Sequence, residues 1–184
     1  MIKLLFKLVL KLIGWKIKGV YPGYERCVVV VAPHTSFWDF IIGKFYYLSI
    51  GLKTNFLIKK ELFFFPFGQW LSIMGAIPVD RSDSHRMVFK LSKQFAKRKH
   101  LVLTITPEGT RKKVDRWRRG FYYIAEKSKV PVVMGYIDYK TKTIGIIGNL
   151  EITGDVEADM KWLKQQYKGI SGKHADQFSI GENQ

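Results

Sequence analysis

Residues 27–40 read Cys-Val-Val-Val-Val-Ala-Pro-His-Thr-Ser-Phe-Trp-Asp-Phe, and this stretch is the clearest indicator of the fold. Val28–Ala32 is a short β-branched run that predicts a buried strand. Pro33 and His34 follow, and the aromatic-rich segment Phe37–Leu52 then predicts a helix. Strands that alternate with helices in this way form mostly parallel sheets whose faces are covered by helices.

The same alternation continues along the chain. Further strands are predicted at Asn55–Ile58, Ala76–Asp80, Leu101–Thr106, Val132–Tyr139 and Thr143–Gly148. Ser84–Arg98 carries its apolar residues on one face and predicts a helix with Ser82 or Asp83 as N-cap, and Asp155 can cap a last helix. We find no long linker, low-complexity tract or repeat. We therefore predict an α/β fold, with a mostly parallel sheet flanked by helices, in a single domain over residues 19–184.

The charge balance indicates an anionic partner. The 184 residues carry 31 Lys and Arg against 15 Asp and Glu, a formal net charge of +16. This charge fits nucleic acid, an acidic membrane surface or a phosphorylated substrate. An apolar content of 47% is too high for a disordered chain, and a mean hydropathy of −0.06 is too low for a polytopic membrane protein. Because Cys27 is the only cysteine, neither an internal disulfide nor a cysteine metal site can form.

The first 18 residues predict an amphipathic helix at a membrane interface. Lys3, Lys7 and Lys11 recur every four residues and share one helix face, and most of the remaining residues are apolar. The lysines interrupt the apolar run that a secretory signal needs. The segment before Gly14 would form a helix of about 18 Å, which cannot cross a hydrocarbon core of about 30 Å. It can lie along an anionic surface, with Trp15 at its end. A helix packed on its own domain would show the same pattern, so this alternative stays open.

Two polar loops follow predicted strands, where ligands of parallel sheets usually bind. In the first loop, His34 comes just after a strand and Asp39 follows five residues later. A neutral imidazole can take a proton from an alcohol while a carboxylate holds its other nitrogen and stabilises the imidazolium. The pair indicates a general base, although a helix-capping or solvated histidine also explains the spacing.

The second loop, Thr106–Arg111, also follows an apolar strand. Gly109 permits a close backbone approach or a positive φ, and the Arg111 guanidinium can hold a phosphate with two hydrogen bonds. The basic residues that follow are Lys112, Lys113, Arg116, Arg118 and Arg119. The loop fits an anionic ligand, and a solvated loop or a nucleic-acid patch would show the same composition.

Four segments resemble, in this order, the successive blocks of the glycerolipid acyltransferase family, which includes the 1-acylglycerol-3-phosphate acyltransferases. They are His34-x4-Asp39, Gly75–Arg81, Pro107–Arg111 and Val130–Val133. Lys59–Leu62 also resembles its counterpart there, and the similarity extends over roughly residues 20–150. The order and separation of the blocks make the resemblance specific.

The resemblance implies direct transfer of a fatty acyl group from a thioester, on coenzyme A or acyl carrier protein, to the hydroxyl of a lysophospholipid. The expected acceptor is 1-acylglycerol-3-phosphate, and another lyso-lipid stays open. His34 would be the base and Asp39 its orienting partner, without a metal, a cofactor or a covalent enzyme intermediate. The acceptor phosphate would be held by Arg81, Glu108, Gly109, Thr110 and Arg111. Departures from the family pattern flank this acceptor site, at Pro78, Thr106 and Met134.

These expectations describe a peripheral or monotopic membrane enzyme at the cytoplasmic face of the cell membrane. A nucleic-acid-binding module would explain the charge but would leave the ordered blocks unexplained. A non-catalytic lipid-surface protein would keep the lysine-bearing helix without needing His34. Acyl transfer measured with wild type and His34→Ala separates these alternatives.

Overall fold

A seven-stranded sheet organises the part of the chain that the computed structural model describes, residues 1–80 and 83–181. The strands are β1 (Lys16–Lys18), β2 (Arg26–Ala32), β3 (Asn55–Lys59), β4 (Ala76–Val79), β5 (Leu101–Ile105), β6 (Val132–Asp138) and β7 (Thr143–Leu150). The helices are α1 (Ile2–Leu12), α2 (Phe37–Ile50), α3 (Phe67–Ile73), α4 (Ser84–Lys97), α5 (Gly120–Ser128) and α6 (Val156–Gln166). Short 3-10 helices occupy Lys60–Leu62 and Ala175–Gln177.

The strands lie in the order β1-β7-β6-β2-β5-β3-β4, and β6 and β7 form the antiparallel pair among otherwise parallel neighbours. The turn between β6 and β7, residues 139–142, is too short for the crossover that a parallel pair requires. The predicted mostly parallel α/β sheet is confirmed. Each predicted strand lies within two residues of its predicted ends.

Helices cover both faces of the sheet because successive side chains of a strand point to opposite sides. On β2, Val28 and Val30 belong to the core formed with α4, α5 and α6. Val29 belongs to a second core, formed with α1 and α2. A strand that is apolar on both faces is therefore central to the sheet, as the run at residues 28–32 predicts.

Helix α1 is shorter than the N-terminal helical unit expected to residue 18. Gly14 takes a left-handed conformation with φ 82°, the Trp15 N–H donates to the Leu10 carbonyl, and the Gly14 N–H donates to the Lys11 carbonyl. This is the Schellman ending that glycine favours. The chain then enters edge strand β1, so the expectation of a helix through residues 13–18 is wrong.

One side of α1 packs on the domain and another side is exposed. Leu10 is fully buried, and the Phe6 ring lies 5.2 Å from that of Phe45 in α2. A leucine stripe, Leu4, Leu5, Leu8 and Leu12, remains exposed on α1. Packing on the domain therefore leaves a free apolar stripe. None of the helices in residues 1–80 and 83–181 combines the length and apolarity needed to span a bilayer.

Candidate active site

Both predicted polar loops lie at one edge of the sheet. Strand β2 ends at Ala32 and β5 ends at Ile105, and the two strands are parallel neighbours. The loop that carries His34 and the loop that carries Glu108 therefore leave the sheet side by side. The His34 backbone N–H donates to Glu108 Oε1 over 3.1 Å, which joins the two loops directly.

His34 and Asp39 form the pair that the spacing predicts. Nδ1 of His34 lies 3.2 Å from Oδ2 of Asp39. The His34 side chain is 23% exposed, and Asp39 is buried beneath it. With Nδ1 directed at the carboxylate, Nε2 is the nitrogen available to a hydroxyl in the cleft.

The start of α2 holds Asp39 in place. Asp39 Oδ2 accepts hydrogen bonds from the backbone N–H groups of Thr35 (2.7 Å) and Ser36 (2.8 Å), and Ser36 is the N-cap of the helix. The pattern Ser-x-x-Asp is an acidic variant of the capping box. Burial alone would raise the pKa of Asp39, but the His34 side chain, the Ser36 N–H and the nearby Tyr139 hydroxyl together lower it. Asp39 is therefore an anion that can stabilise a protonated imidazole.

Tyr139, in the turn after β6, is a neighbour of Asp39 that sequence reasoning missed. Its hydroxyl is buried beside the Asp39 carboxylate, and burial together with that negative charge raises the pKa of the phenol. Neither this hydroxyl nor Asp39 Oδ1 has a hydrogen-bond partner among the described residues. The Trp15 ring packs edge-on against Tyr139, with ring centroids 5.0 Å apart. Tyr139 thus places a second polar group against the carboxylate that orients His34.

Glu108, predicted to help hold the acceptor phosphate, is buried against the His34 loop. Its carboxyl is buried, one oxygen accepts the His34 N–H, and Oε2 has no partner within the described part of the chain. Burial raises the pKa of Glu108 to about 8, against the weaker lowering effect of the His34 N–H. The hydrogen bond from the His34 N–H shows that Glu108 positions the His34 loop. Its role in holding the acceptor phosphate stays a prediction.

Gly109, Thr110 and Arg111 line the same cleft as His34 and Asp39. Gly109 has φ 67°, and a Cβ there would come within 2.7 Å of the Arg118 side chain, so both the conformation and the space favour glycine. The Arg111 side chain is exposed. These positions suit an anion at the cleft mouth, and their role as phosphate ligands stays a prediction. Arg81, predicted to join them, lies outside the described residues.

The cleft extends from His34 along an apolar wall. Its volume is about 2160 Å³, and the aromatic residues of its lining include Phe40, Tyr46, Tyr47, Phe56 and Trp70. The Lys44 ammonium lies in this wall, where it donates to the Met74 carbonyl over 2.8 Å and sits 5.5 Å from the Phe56 ring centre. The space exceeds the few hundred to about 1,000 Å³ of an ordinary small-molecule site and suits a long apolar chain.

The segment after α6 covers the His34 loop from the other side. The His174 N–H donates to Thr35 Oγ1 over 3.1 Å, and the Trp117 indole donates to the Ser179 carbonyl over 3.0 Å. Nothing in the local sequence predicts this packing, because the two contacts join residues that are 139 and 62 positions apart. The loop that carries the candidate base is therefore held by three separate parts of the chain.

The fold and this site define an α/β enzyme whose cleft contains a histidine–carboxylate pair. Residues 18–137 match the family model described as Acyltransferase, and the chain belongs to that family.

Two curated relatives are each named 1-acyl-sn-glycerol-3-phosphate acyltransferase. The protein from Streptococcus pneumoniae is 30% identical over 116 residues, which is 61% of this chain and 42% of the relative. The protein from Cocos nucifera is 34% identical over 112 residues, which is 57% of this chain and 35% of the relative. The matches thus span less than half of each relative's own length.

The structure resembles the crystal structure of the 1-acyl-sn-glycerophosphate (LPA) acyltransferase from Thermotoga maritima. The TM-score is 0.60 at 19% sequence identity, over 89% of this chain and 74% of that one. At this identity the likeness establishes a shared fold.

Proposed function

We propose that this chain transfers a fatty acyl group from an acyl thioester to the hydroxyl of 1-acylglycerol-3-phosphate and forms phosphatidate. The observation that carries the proposal is the His34–Asp39 pair in one cleft with the Gly109–Arg111 loop. The names of the two curated relatives support the same acceptor.

His34 acts as the general base in this proposal. Its Nε2 takes the proton of the acceptor hydroxyl as that oxygen attacks the thioester carbonyl. The new C–O bond forms, the C–S bond breaks, and the imidazolium returns the proton to the departing thiolate. Asp39 stabilises the imidazolium through Nδ1. A positioned base of this kind contributes about 10²- to 10⁴-fold in rate.

The acceptor phosphate binds at the Gly109–Arg111 loop, with Arg81 as a second guanidinium. The support is chemical: Arg111 is exposed at the mouth of the cleft, and the neighbouring tract carries five more basic side chains. An arginine can donate two parallel hydrogen bonds to a phosphate. The apolar wall of the cleft takes the acyl chain of the donor or the acceptor.

The enzyme attaches peripherally to an anionic membrane through α1. The exposed leucine stripe supplies apolar area, and Lys3, Lys7 and Lys11 supply roughly 1 kcal/mol each near an anionic surface. Coenzyme A and acyl carrier protein are both candidate carriers of the donor, because both are anionic and the chain is strongly basic.

An acyl-transfer assay tests the proposal. The purified chain is given each donor, acyl-CoA or acyl carrier protein, with lysophosphatidate or with uncharged monoacylglycerol as acceptor. We expect wild type to prefer the phosphorylated acceptor, His34→Ala to lose at least about 100-fold in rate with an unchanged circular dichroism spectrum, and Arg111→Ala to lose much of the acceptor preference. A wild-type rate in His34→Ala would refute the mechanism. Equal use of both acceptors by wild type would refute the phosphate site.

A further inference from the structure

A second apolar surface lies outside the catalytic cleft. Five large side chains around α3 are exposed, and we call them the aromatic patch: Phe64, Phe65, Phe67, Trp70 and Ile73. Phe65 is 81% exposed and Ile73 is 85% exposed. The rings of Phe64, Phe67 and Trp70 stack in sequence with centroids 5.7 Å apart. A contiguous group of exposed aromatic side chains marks an interaction surface.

The position of the aromatic patch relates it to the site. It begins just after β3, whose end lies at the same sheet edge as the ends of β2 and β5. The hydrogen bond from Lys44 to Met74 ties the end of α3 to α2, and α1 packs on α2 as well. Trp70 and Phe67 also line the cleft that contains His34. The patch therefore borders the mouth of the cleft.

We infer that the aromatic patch inserts into the lipid bilayer as a second membrane contact, separate from α1. Aromatic side chains with neighbouring cations favour the boundary between lipid head groups and acyl chains. Lys59 is exposed at the start of this segment, and the chain as a whole carries a charge of +16, so an anionic lipid surface complements it. A patch in the bilayer at the cleft mouth would let a lyso-lipid enter without crossing water. Only this account of lipid entry rests on the proposed function.

Matched double variants test the contact. The patch variant is Phe65→Ser with Ile73→Ser, and neither side chain lines the cleft. The control is Phe89→Ser with Trp162→Ser, whose side chains are 46% and 47% exposed on α4 and α6. These helices pack on the core that lies across the sheet from α1 and α2. Each protein is sedimented with phosphatidylcholine vesicles, with and without phosphatidylglycerol. The neutral vesicles isolate apolar insertion from the attraction of the lysines.

We expect the patch variant to bind both kinds of vesicle at least about tenfold more weakly than wild type, and the control to bind as wild type does. Vesicles with brominated acyl chains should quench tryptophan fluorescence less in Trp70→Phe than in Trp162→Phe. Wild-type binding by the patch variant would overturn the inference. So would a wild-type dimer that becomes a monomer in the patch variant, because a second copy would then cover the patch. Vesicle binding through the patch in a chain without acyl transfer would refute the proposed function alone.

Discussion

Glu108→Gln should stabilise the protein against alkaline pH. Gln is nearly the same shape as Glu, so its carbonyl can still accept the His34 N–H that Glu108 Oε1 accepts. The substitution removes the ionisable carboxyl, whose negative charge is disfavoured by burial. The pKa of Glu108 is raised from 4.5 to about 8 because the carboxyl is buried. The folded protein therefore keeps a proton on Glu108 that the unfolded chain loses.

The sign of the effect follows from this proton. The raised pKa contributes stability that is fully present below about pH 4.5 and is lost as the pH rises through about 8. A difference of about 3.5 units corresponds to roughly 5 kcal/mol at 1.36 kcal/mol per unit. Between pH 5 and pH 9, the free energy of unfolding of wild type should fall by up to that amount relative to that of Glu108→Gln. For a chain of this size, the gap in Tm would widen by roughly 10–20 °C.

Urea unfolding at pH 5, 7 and 9 measures the difference. Glu126→Gln is the matched control, because it makes the same substitution at an exposed side chain. The quantity compared is the difference in free energy of unfolding between variant and wild type at each pH. The contributions of the other titrating groups cancel in this difference. A constant difference from pH 5 to pH 9 would refute the assignment of Glu108 as a neutral buried acid.

Three further substitutions test the remaining parts of the site. Asp39→Asn should lower the rate by roughly 10²- to 10⁴-fold, because no anion then stabilises the imidazolium. It should also lower the free energy of unfolding by about 1 kcal/mol through the weakened cap. A wild-type rate of acyl transfer would contradict the role of Asp39. Tyr139→Phe removes a polar neighbour of the Asp39 carboxylate. The acid limb of the kcat/KM profile should therefore move to higher pH, and kcat/KM should fall about two- to tenfold. An unchanged pH profile would show that Tyr139 has a packing role only. Gly109→Ala should lose about 1–2 kcal/mol of stability from its positive φ, with a higher KM for the acceptor, whereas an unchanged unfolding midpoint would show that the loop relaxes freely.

Local sequence signals were sufficient for most of the fold. The β-branched run at residues 28–32 and the helical periodicity of residues 84–98 are strong patterns, and the structure has both elements. Strand β1 was not predicted because three residues, two of them lysine, carry no periodicity and pair only at the sheet edge. Helix α3 has seven residues, too few for a helical pattern to stand out in an aromatic segment.

The residues of the site also fall into those that local sequence predicts and those that depend on tertiary packing. His34 and Asp39 were predictable because one loop and the first turn of one helix bring them together. The contact of Tyr139 with Asp39 was not predictable, because it depends on how β6 lies beside β2. For Glu108, the motif identified the residue but not the direction of its side chain. The structure shows the carboxyl directed at the His34 backbone and buried there.

Two carboxyl groups flank His34, and their environments separate their charge states. Asp39 accepts two backbone N–H groups and the His34 side chain, which keeps its pKa low, whereas Glu108 accepts one N–H in a buried position that raises its pKa to about 8. The negative charge of Asp39 itself disfavours a second charge on Glu108. With Glu108 neutral, the Asp39 carboxylate is the charge held against His34 Nδ1, where it would stabilise an imidazolium in the proposed mechanism. Opposite shifts in two neighbouring acids are how such a site assigns different roles to the same functional group.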